Sequence, residues 1–97
     1  MLVLALISSF PAMADITLMR RNELRHMVEH DCGSCHGLTR RGGLGPPLTE
    51  KVLENRSPEV LFKIIRNGVE GTPMPPWKGI LNDEEIRWIV SLLKGGI

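Results

Sequence analysis

Hydrophobic residues recur every three to four positions in three stretches of this chain, which is the period of an α-helix that buries one face. These stretches predict a first helix over residues 16–31, a second from Pro58 to Asn67, and a third that follows Asn82. Their apolar faces contain Leu24, Met27, Val28 and Cys32, then Val60, Leu61, Ile64 and Ile65, and finally Ile86, Ile89, Val90 and Leu93. With a shorter helix over residues 50–55, the pattern predicts an all-α fold of about four short helices.

Residues that favour helix ends mark the boundaries of these helices. Ser57 followed by Pro58 is typical of a helix N-terminus, and Gly68 is suited to a left-handed C-terminal cap. Asn82 and Glu85 are three residues apart, as in a capping box at the start of the last helix. The apolar face of that helix needs a partner, and we expect the first helix to cover it.

Glycine and proline concentrate in two segments, which we predict to be loops. Residues 37–48 read GLTRRGGLGPPL, and residues 69–80 read VEGTPMPPWKGI. Three prolines within five residues exclude a helix or a central strand from the second segment. The glycines of the first segment allow its backbone to pass close to a bound group.

The first 14 residues differ in character from the rest of the chain. They are predominantly apolar and end in Ala12-Met13-Ala14, so we interpret residues 1–14 as a signal peptide with an incomplete basic region. The apolar run is shorter than the roughly 20 residues of a membrane-spanning helix. We therefore predict export to a bacterial periplasm, no membrane span, and one soluble domain over residues 15–97. A formal net charge of +1 argues against a nucleic-acid partner.

The segment Cys32-Gly33-Ser34-Cys35-His36 has the spacing at which c-type haem is attached. Two residues between the cysteines let both sulfurs reach the vinyl groups on one edge of a porphyrin. The adjacent histidine then lies under the ring, where its imidazole can ligate the iron from the proximal side. We therefore predict one covalent haem c, with thioethers at Cys32 and Cys35, and neither a disulfide nor a free thiol.

Two other kinds of site use the same residues. A thioredoxin-type redox disulfide would need a βαβ context, which is not visible here. A structural zinc site needs four ligands, and besides methionine only His26 and His30 remain as candidates. Those two histidines are four residues apart on the first predicted helix, a spacing that can bind metal, but such pairs are more often simply exposed.

Met74 is the expected distal ligand of the haem iron. It lies between Pro73 and Pro75, which present it stiffly, and its thioether is a soft ligand that suits haem iron. Met19 and Met27 are the competitors, but both lie on the helix of the proximal side. The second ring nitrogen of a ligating histidine usually donates to a carbonyl or carboxylate, and for His36 the carbonyl of Pro46 is the expected acceptor.

Three further residues are candidates for contacts with the haem or with a partner. Arg40 and Arg41 can neutralise haem propionates or present charge to another protein, although a solvated loop explains them equally well. Trp77 can pack near the ring or a propionate, although ordinary core packing explains it as well.

Taken together, these parts resemble a class I cytochrome c over the whole length of residues 15–97. The matching segments are Cys32–His36, Gly45-Pro46-Pro47-Leu48, Pro73-Met74-Pro75 and the amphipathic last helix. The resemblance implies short helices around one haem, with the first and last helices crossing. It also implies His36 as proximal ligand, Met74 as distal ligand and the Pro46 carbonyl as the partner of His36.

Residues 31–48 and 71–77 are also similar to the small NirC-type cytochromes that accompany haem d1 nitrite reductase. That similarity implies a carrier that passes electrons to this reductase or accepts them during haem d1 maturation. Ligation by His36 and Met74 leaves no open iron position, so we expect an electron carrier and not an enzyme. The alternatives are a haem-based gas sensor with a labile Met74 and an electron donor to a different periplasmic oxidoreductase.

The size of the domain bears on its stability and its oligomeric state. So small a chain buries little hydrophobic core and usually needs a cofactor or a cross-link to be stable. We therefore expect the haem-free chain to be largely unfolded. We expect a monomer, with the glycine-rich loop over residues 42–45 as a hinge through which a domain-swapped dimer would form.

Overall fold

The structure is a computed structural model that describes residues 16–95, and the predicted signal peptide over residues 1–14 lies outside them. Its helical elements are α1 Leu18–Met27, a π-helical segment Val28–Cys32, α2 Gly33–His36, α3 Glu50–Leu53, α4 Pro58–Asn67 and α5 Asp83–Gly95. Because α1, the π-helical segment and α2 follow one another without a break, the described residues form four separate helices. No strand occurs among them, as the hydrophobic pattern predicted.

The first helix therefore continues to His36, further than the predicted end at residue 31. Its winding changes within the π-helical segment, where the Gly33 N–H points to the carbonyl of Val28, five residues earlier. A π-helical turn holds one more residue than the corresponding stretch of α-helix, and such turns are frequent at functional sites. Nothing in the hydrophobic spacing predicted this turn.

The N-terminal caps predicted for α4 and α5 are confirmed, and α3 has a cap of the same kind. Ser57 Oγ accepts from the Val60 N–H at 3.1 Å at the start of α4. At the start of α5, Asn82 and Glu85 exchange hydrogen bonds of 3.0 and 2.8 Å between backbone N–H and side-chain oxygen. Thr49 caps α3, which ends at Leu53, two residues before its predicted end.

The core forms where α5 packs on α1, α3 and α4. The predicted apolar face of α5 is buried along its whole length. On α1 and the π-helical segment, Leu24 and Val28 are fully buried. On α4 the prediction was wrong for one position, because Val60 is 46% exposed and Phe62 is buried in its place.

Ion pairs between side chains connect the helices at the edge of the core. Arg20 on α1 forms an ion pair with Glu85 on α5. Between α4 and α5, Arg66 pairs with Asp83 at 3.0 Å and Arg87 with Glu59 at 2.7 Å.

A lysine near the end of α5 holds the turn that follows α3. Lys94 Nζ donates to the carbonyls of Leu53 and Arg56, at 2.8 and 2.5 Å. The turn that leads from α3 to α4 is therefore fixed against the last helix. Within residues 16–95 there is no helix with the length and apolar character needed to span a bilayer.

Candidate functional site

A cavity of about 800 Å³ opens between α2, the two glycine- and proline-rich loops, α4 and α5. Most of its wall is apolar, and part of that wall consists of buried core side chains. The predicted site residues that line it are Cys32, Cys35, His36, Pro46, Met74 and Trp77. The structure thus brings residues from three separate segments of the sequence to one cavity.

Helix geometry places the three residues of the attachment motif together. Cys32 ends the π-helical segment, and Cys35 and His36 follow on α2, at offsets of three and four residues. Residues at these offsets lie on the same side of a helix, so both sulfurs and the imidazole face the cavity.

The imidazole of His36 is oriented by the loop that follows it. His36 Nδ1 lies 2.7 Å from the carbonyl oxygen of Pro46. A carbonyl oxygen only accepts, so Nδ1 carries the proton and Nε2 keeps a lone pair that is free to bind a metal ion. This is the tautomer that an iron-ligating histidine requires.

The loop reaches this position because its backbone is bonded to the end of α2. The N–H groups of Gly42 and Gly45 donate to the carbonyls of His36 and Cys35, at 2.9 and 2.7 Å. A Cβ atom on Gly45 would lie 2.7 Å from His36 Nδ1, closer than non-bonded atoms approach. Only glycine fits between this part of the loop and the imidazole.

Met74 is held by a second loop that is fastened to the end of α4. The N–H groups of Trp77 and Lys78 donate to the carbonyls of Ile65 and Arg66, at 3.0 and 3.2 Å. Within the loop, the Val69 N–H donates to the Met74 carbonyl at 3.2 Å. Met74 is half-buried and contributes to the cavity wall.

Both cysteines are half-buried, and their sulfurs are not bonded to each other. Burial, with a smaller contribution from the charge of Asp31, raises the pKa of the Cys32 thiol to about 11. Reactive thiols of redox motifs have lowered pKa values, since the thiolate is the nucleophile. The environment of Cys32 therefore has the opposite character to a thioredoxin-type site.

Two of the predicted residues do not reach the cavity. Arg40 and Arg41 are absent from its lining among residues 16–95. The backbone of Arg40 spans the loop, donating to Gly37 and accepting from Leu48, each at 2.8 Å. Its φ of 59° turns the chain there, and Arg41 is exposed.

Arg56 lines the cavity, and sequence reasoning missed it. Among the described residues it is the only lysine or arginine in the cavity wall. It lies in the turn between α3 and α4, where its backbone carbonyl accepts from Lys94 of α5. No local sequence signal reports such a contact between distant segments.

His26 and His30, the candidates for a zinc site with the cysteines, do not line the cavity. Over residues 16–95 no group of three or more histidine, cysteine, aspartate or glutamate side chains converges on one point. The cysteines and these histidines therefore do not form a four-ligand site.

Comparison with known proteins identifies the family of this chain. A family model described as cytochrome C oxidase, cbb3-type, subunit III matches residues 20–93. The chain belongs to this family of c-type cytochromes. Over 74 residues the cytochrome is 49% identical to cytochrome c55X of Paracoccus denitrificans, covering 76% of this chain and 72% of that protein. It is 46% identical to cytochrome c55X of Pseudomonas aeruginosa, covering 79% of this chain and 65% of that protein.

Solved structures show the same likeness. The c-type cytochrome NirC superposes with a TM-score of 0.79 at 43% identity, over 81% of this chain and 93% of NirC. The dihydro-heme d1 dehydrogenase NirN, solved in complex with DHE, matches with a TM-score of 0.68 at 29% identity. That match covers 75% of this chain but 16% of NirN, so the cytochrome is similar to a small part of that enzyme.

The cytochrome is a mono-haem electron carrier that binds haem c covalently. The residues of the cavity fit this group, since they supply two thiols, an imidazole with a free Nε2 and the thioethers of Met27 and Met74 within a largely apolar volume. The fold is the all-α class I cytochrome c fold that the sequence predicted.

Proposed function

We propose that this cytochrome carries single electrons in the periplasm, with haem attached at Cys32 and Cys35 and ligated by His36 and Met74. The observation that carries the proposal is the hydrogen bond from His36 Nδ1 to the Pro46 carbonyl, which leaves Nε2 free in a cavity that Met74 also lines. When bound, haem c supplies reversible one-electron exchange at its iron, and a Met/His ligand pair raises its reduction potential.

The side chains around the cavity support this chemistry in different ways. The Pro46 carbonyl makes His36 a more basic ligand and fixes the orientation of its ring. The apolar wall, to which Trp77 contributes, excludes water and so favours the less charged, reduced state. Arg56 makes no side-chain hydrogen bond or ion pair with another described residue, and we assign it to the negative charge of a haem propionate.

The ligand assignment is tested by comparing two methionine variants. Met74→Leu removes the thioether that the second loop brings to the cavity and keeps that of Met27, whereas Met19→Leu changes an exposed residue of α1 that does not line it. We expect Met74→Leu to lose the sulfur-to-iron charge-transfer band of the ferric protein and to lower the reduction potential by about 0.2 V, within the range that axial ligands span. Met19→Leu should change neither property.

The same variants separate a carrier from a gas sensor. With two strong axial ligands the reduced wild-type protein should bind carbon monoxide slowly, and Met74→Leu should bind it readily. Fast binding of carbon monoxide by the wild type would contradict the carrier proposal and would favour a sensor with a labile Met74.

We propose a haem d1 protein as the redox partner, either a haem d1 nitrite reductase or a haem d1 biosynthesis enzyme. The proposal is supported by similarity to NirC and to part of NirN, a protein named as a dihydro-heme d1 dehydrogenase. Electron-transfer contacts are small and brief, so turnover stays fast. Leu44 is exposed and lines the cavity, and Arg41 is an exposed basic residue of the same loop. Both would belong to such a contact.

Stopped-flow mixing tests the partner. The reduced cytochrome should be oxidised rapidly by a haem d1 nitrite reductase at micromolar concentration. Arg41→Glu should slow this reaction while leaving the haem spectrum unchanged, because Arg41 is exposed and does not line the cavity. Absence of transfer to this reductase and to a haem d1 biosynthesis enzyme would contradict the proposed partner and would favour a different periplasmic oxidoreductase.

A further inference from the structure

His26 and His30 form a pair on the outer face of the first helix. Both side chains are exposed, and their ring centroids lie 4.1 Å apart with the planes inclined by 42°. Leu24 and Val28 lie on the opposite face of the same stretch and are fully buried. Packing of Leu24 and Val28 in the core therefore fixes the backbone that carries the two imidazoles.

The rings have no other partner that would explain their position. Over residues 16–95 neither imidazole hydrogen-bonds to another residue or pairs with a carboxylate, and the haem cavity does not include them. The third histidine of the chain, His36, is assigned to the haem. In the haem-loaded protein, His26 and His30 are thus the imidazoles free to bind another ligand.

The distance between the rings matches chelation of one metal ion. Imidazole nitrogens bind such metal ions at about 2.0–2.1 Å, so two rings on one ion have centroids roughly 4.5 Å apart at a 90° ligand angle and roughly 5.2 Å apart at a tetrahedral angle. The observed separation of 4.1 Å is nearer the first value, which suits the square geometry of Cu²⁺, and a small outward rotation of the side chains reaches it. Two histidines four residues apart on one helix face are a known arrangement of metal ligands.

We propose that His26 and His30 form a two-histidine site for a divalent transition metal, with Cu²⁺ preferred over Zn²⁺ and Ni²⁺. This preference follows the general order of affinities of nitrogen ligands for first-row metals. Since no third histidine, cysteine or carboxylate converges on the pair among the described residues, water fills the remaining positions and the metal exchanges readily. The bound ion bridges α1 and the π-helical segment and stabilises the folded protein.

Calorimetry and electron paramagnetic resonance on the ferric, haem-loaded protein test this site with Cu²⁺ and Zn²⁺. We expect one Cu²⁺ ion with nitrogen hyperfine structure, and His26→Gln or His30→Gln should each weaken binding at least about tenfold, because chelation is lost. Glu29→Gln, an exposed neighbour on the same segment, should bind as the wild type does. Equal binding by the histidine variants, or no binding to the wild type, would overturn the proposal.

A separate observation concerns the loop that holds Met74. The Thr72 hydroxyl donates to the Val69 carbonyl at 2.7 Å and accepts from the Met74 N–H at 3.3 Å. The Met74 carbonyl accepts from the Val69 N–H. Both backbone groups of Met74 are thus bonded within the loop, one of them through a side chain. Loss of the Thr72 hydroxyl would leave the Met74 N–H without its acceptor.

We infer that Thr72 is a positioning residue that slows release of the Met74 thioether from the iron. The inference rests on the proposed ligation by Met74. Without the hydroxyl, the segment 69–74 keeps only backbone bonds, and the methionine swings away from the cavity more often. Opening of this kind limits how fast an external ligand reaches the iron.

Cyanide binding to the ferric protein measures that opening. Thr72→Val removes the hydroxyl with little change of shape, and we expect cyanide to bind several times faster than to the wild type. Thr72→Ser restores the hydroxyl and should restore the slow rate. Equal rates for all three proteins, with the thioether band present, would overturn the role of Thr72 alone. A wild type without that band would overturn Met74 ligation and, with it, this inference.

Discussion

His36 is positioned by two neighbouring residues that act in different ways. Pro46 fixes the ring through a hydrogen bond to its carbonyl, and Gly45 leaves the space that the ring occupies. The first contact could be expected from the sequence, because a ligating histidine needs an acceptor and the Gly-Pro segment follows at a short distance. The second could not, because a close approach becomes visible only when the loop has folded back on α2.

Substitution of Gly45 tests this steric requirement. Gly45→Ala places a Cβ atom 2.7 Å from the imidazole, so we expect a loss of about 1–3 kcal/mol in the free energy of unfolding and a shift of the reduction potential. Gly79→Ala is the matched control, because nothing lies within 4 Å of the added atom. Denaturant unfolding followed at the haem absorption bands measures the difference. An unchanged free energy of unfolding and reduction potential in Gly45→Ala would mean that the loop moves aside without loss of stability.

The four residues proposed to hold the haem, Cys32, Cys35, His36 and Met74, could be proposed from the sequence because covalent and ligand chemistry restricts their spacing and their residue types. The cationic residue that lines the cavity could not be identified in this way. Arg40 turns the backbone of its loop and does not line the cavity, whereas Arg56 does so from a turn that Lys94 holds across a separation of 38 residues. A hydrogen bond between residues so far apart cannot be read from the local sequence pattern.

Contact between the first and last helices combines apolar packing with one ion pair. Glu85 belongs to the capping box of α5 and also pairs with Arg20 of α1, although it is only 8% exposed. The capping box was predicted, since both of its residues are local. The ion pair, which joins residues 65 apart, was not.

The ion pair makes stability depend on pH in acid. Mainly because Arg20 donates to it, the pKa of the Glu85 carboxyl lies below its ordinary value of 4.5. A carboxyl with a lowered folded-state pKa stabilises the protein above the unfolded-state value, and this contribution disappears as pH falls through the folded-state value. Glu85→Gln should therefore cost about 1 kcal/mol at neutral pH, and its difference from the wild type should vanish well below pH 4.5.

Unfolding titrations of both proteins between neutral and acid pH check this expectation. Glu84→Gln is the control, because Glu84 is the adjacent acidic residue of the first turn and takes no part in the ion pair. A Glu85→Gln difference that stays constant down to strong acid would show that the amide disturbs the cap and not the charge interaction.

The whole molecule is built around its cavity. Five side chains of the buried core also line it, so the core is incomplete without a bound group. They are Leu53, Leu61, Leu81, Ile89 and Leu93. The order of the helices and their caps followed from the hydrophobic pattern, and the arrangement around one haem followed from the resemblance to cytochromes c. The volume that the core leaves open is a three-dimensional property, which spacing alone does not give.

Preventing haem attachment should therefore remove most of the fold. We expect a Cys32→Ala, Cys35→Ala double variant to lose most of its helical circular dichroism and its cooperative thermal transition, because so small a core is insufficient alone. Ser34→Ala keeps both thioethers and His36, and should melt as the wild type does. A native-like transition in the double variant would show that the polypeptide folds without its cofactor.

The π-helical segment Val28–Cys32 determines how the side chains of α2 are rotated about the helix axis relative to those of α1. Near its start, Leu24 and Val28 must face the buried core, and at its end the thiols and the imidazole must face the cavity. If the same residues were wound as an ordinary α-helix, the extra residue would rotate everything beyond it by about 100°. The two thiols and the imidazole would then turn toward solvent although the sequence was unchanged. The π-helical turn absorbs the extra residue and so keeps two demands on the same helix compatible in this cytochrome.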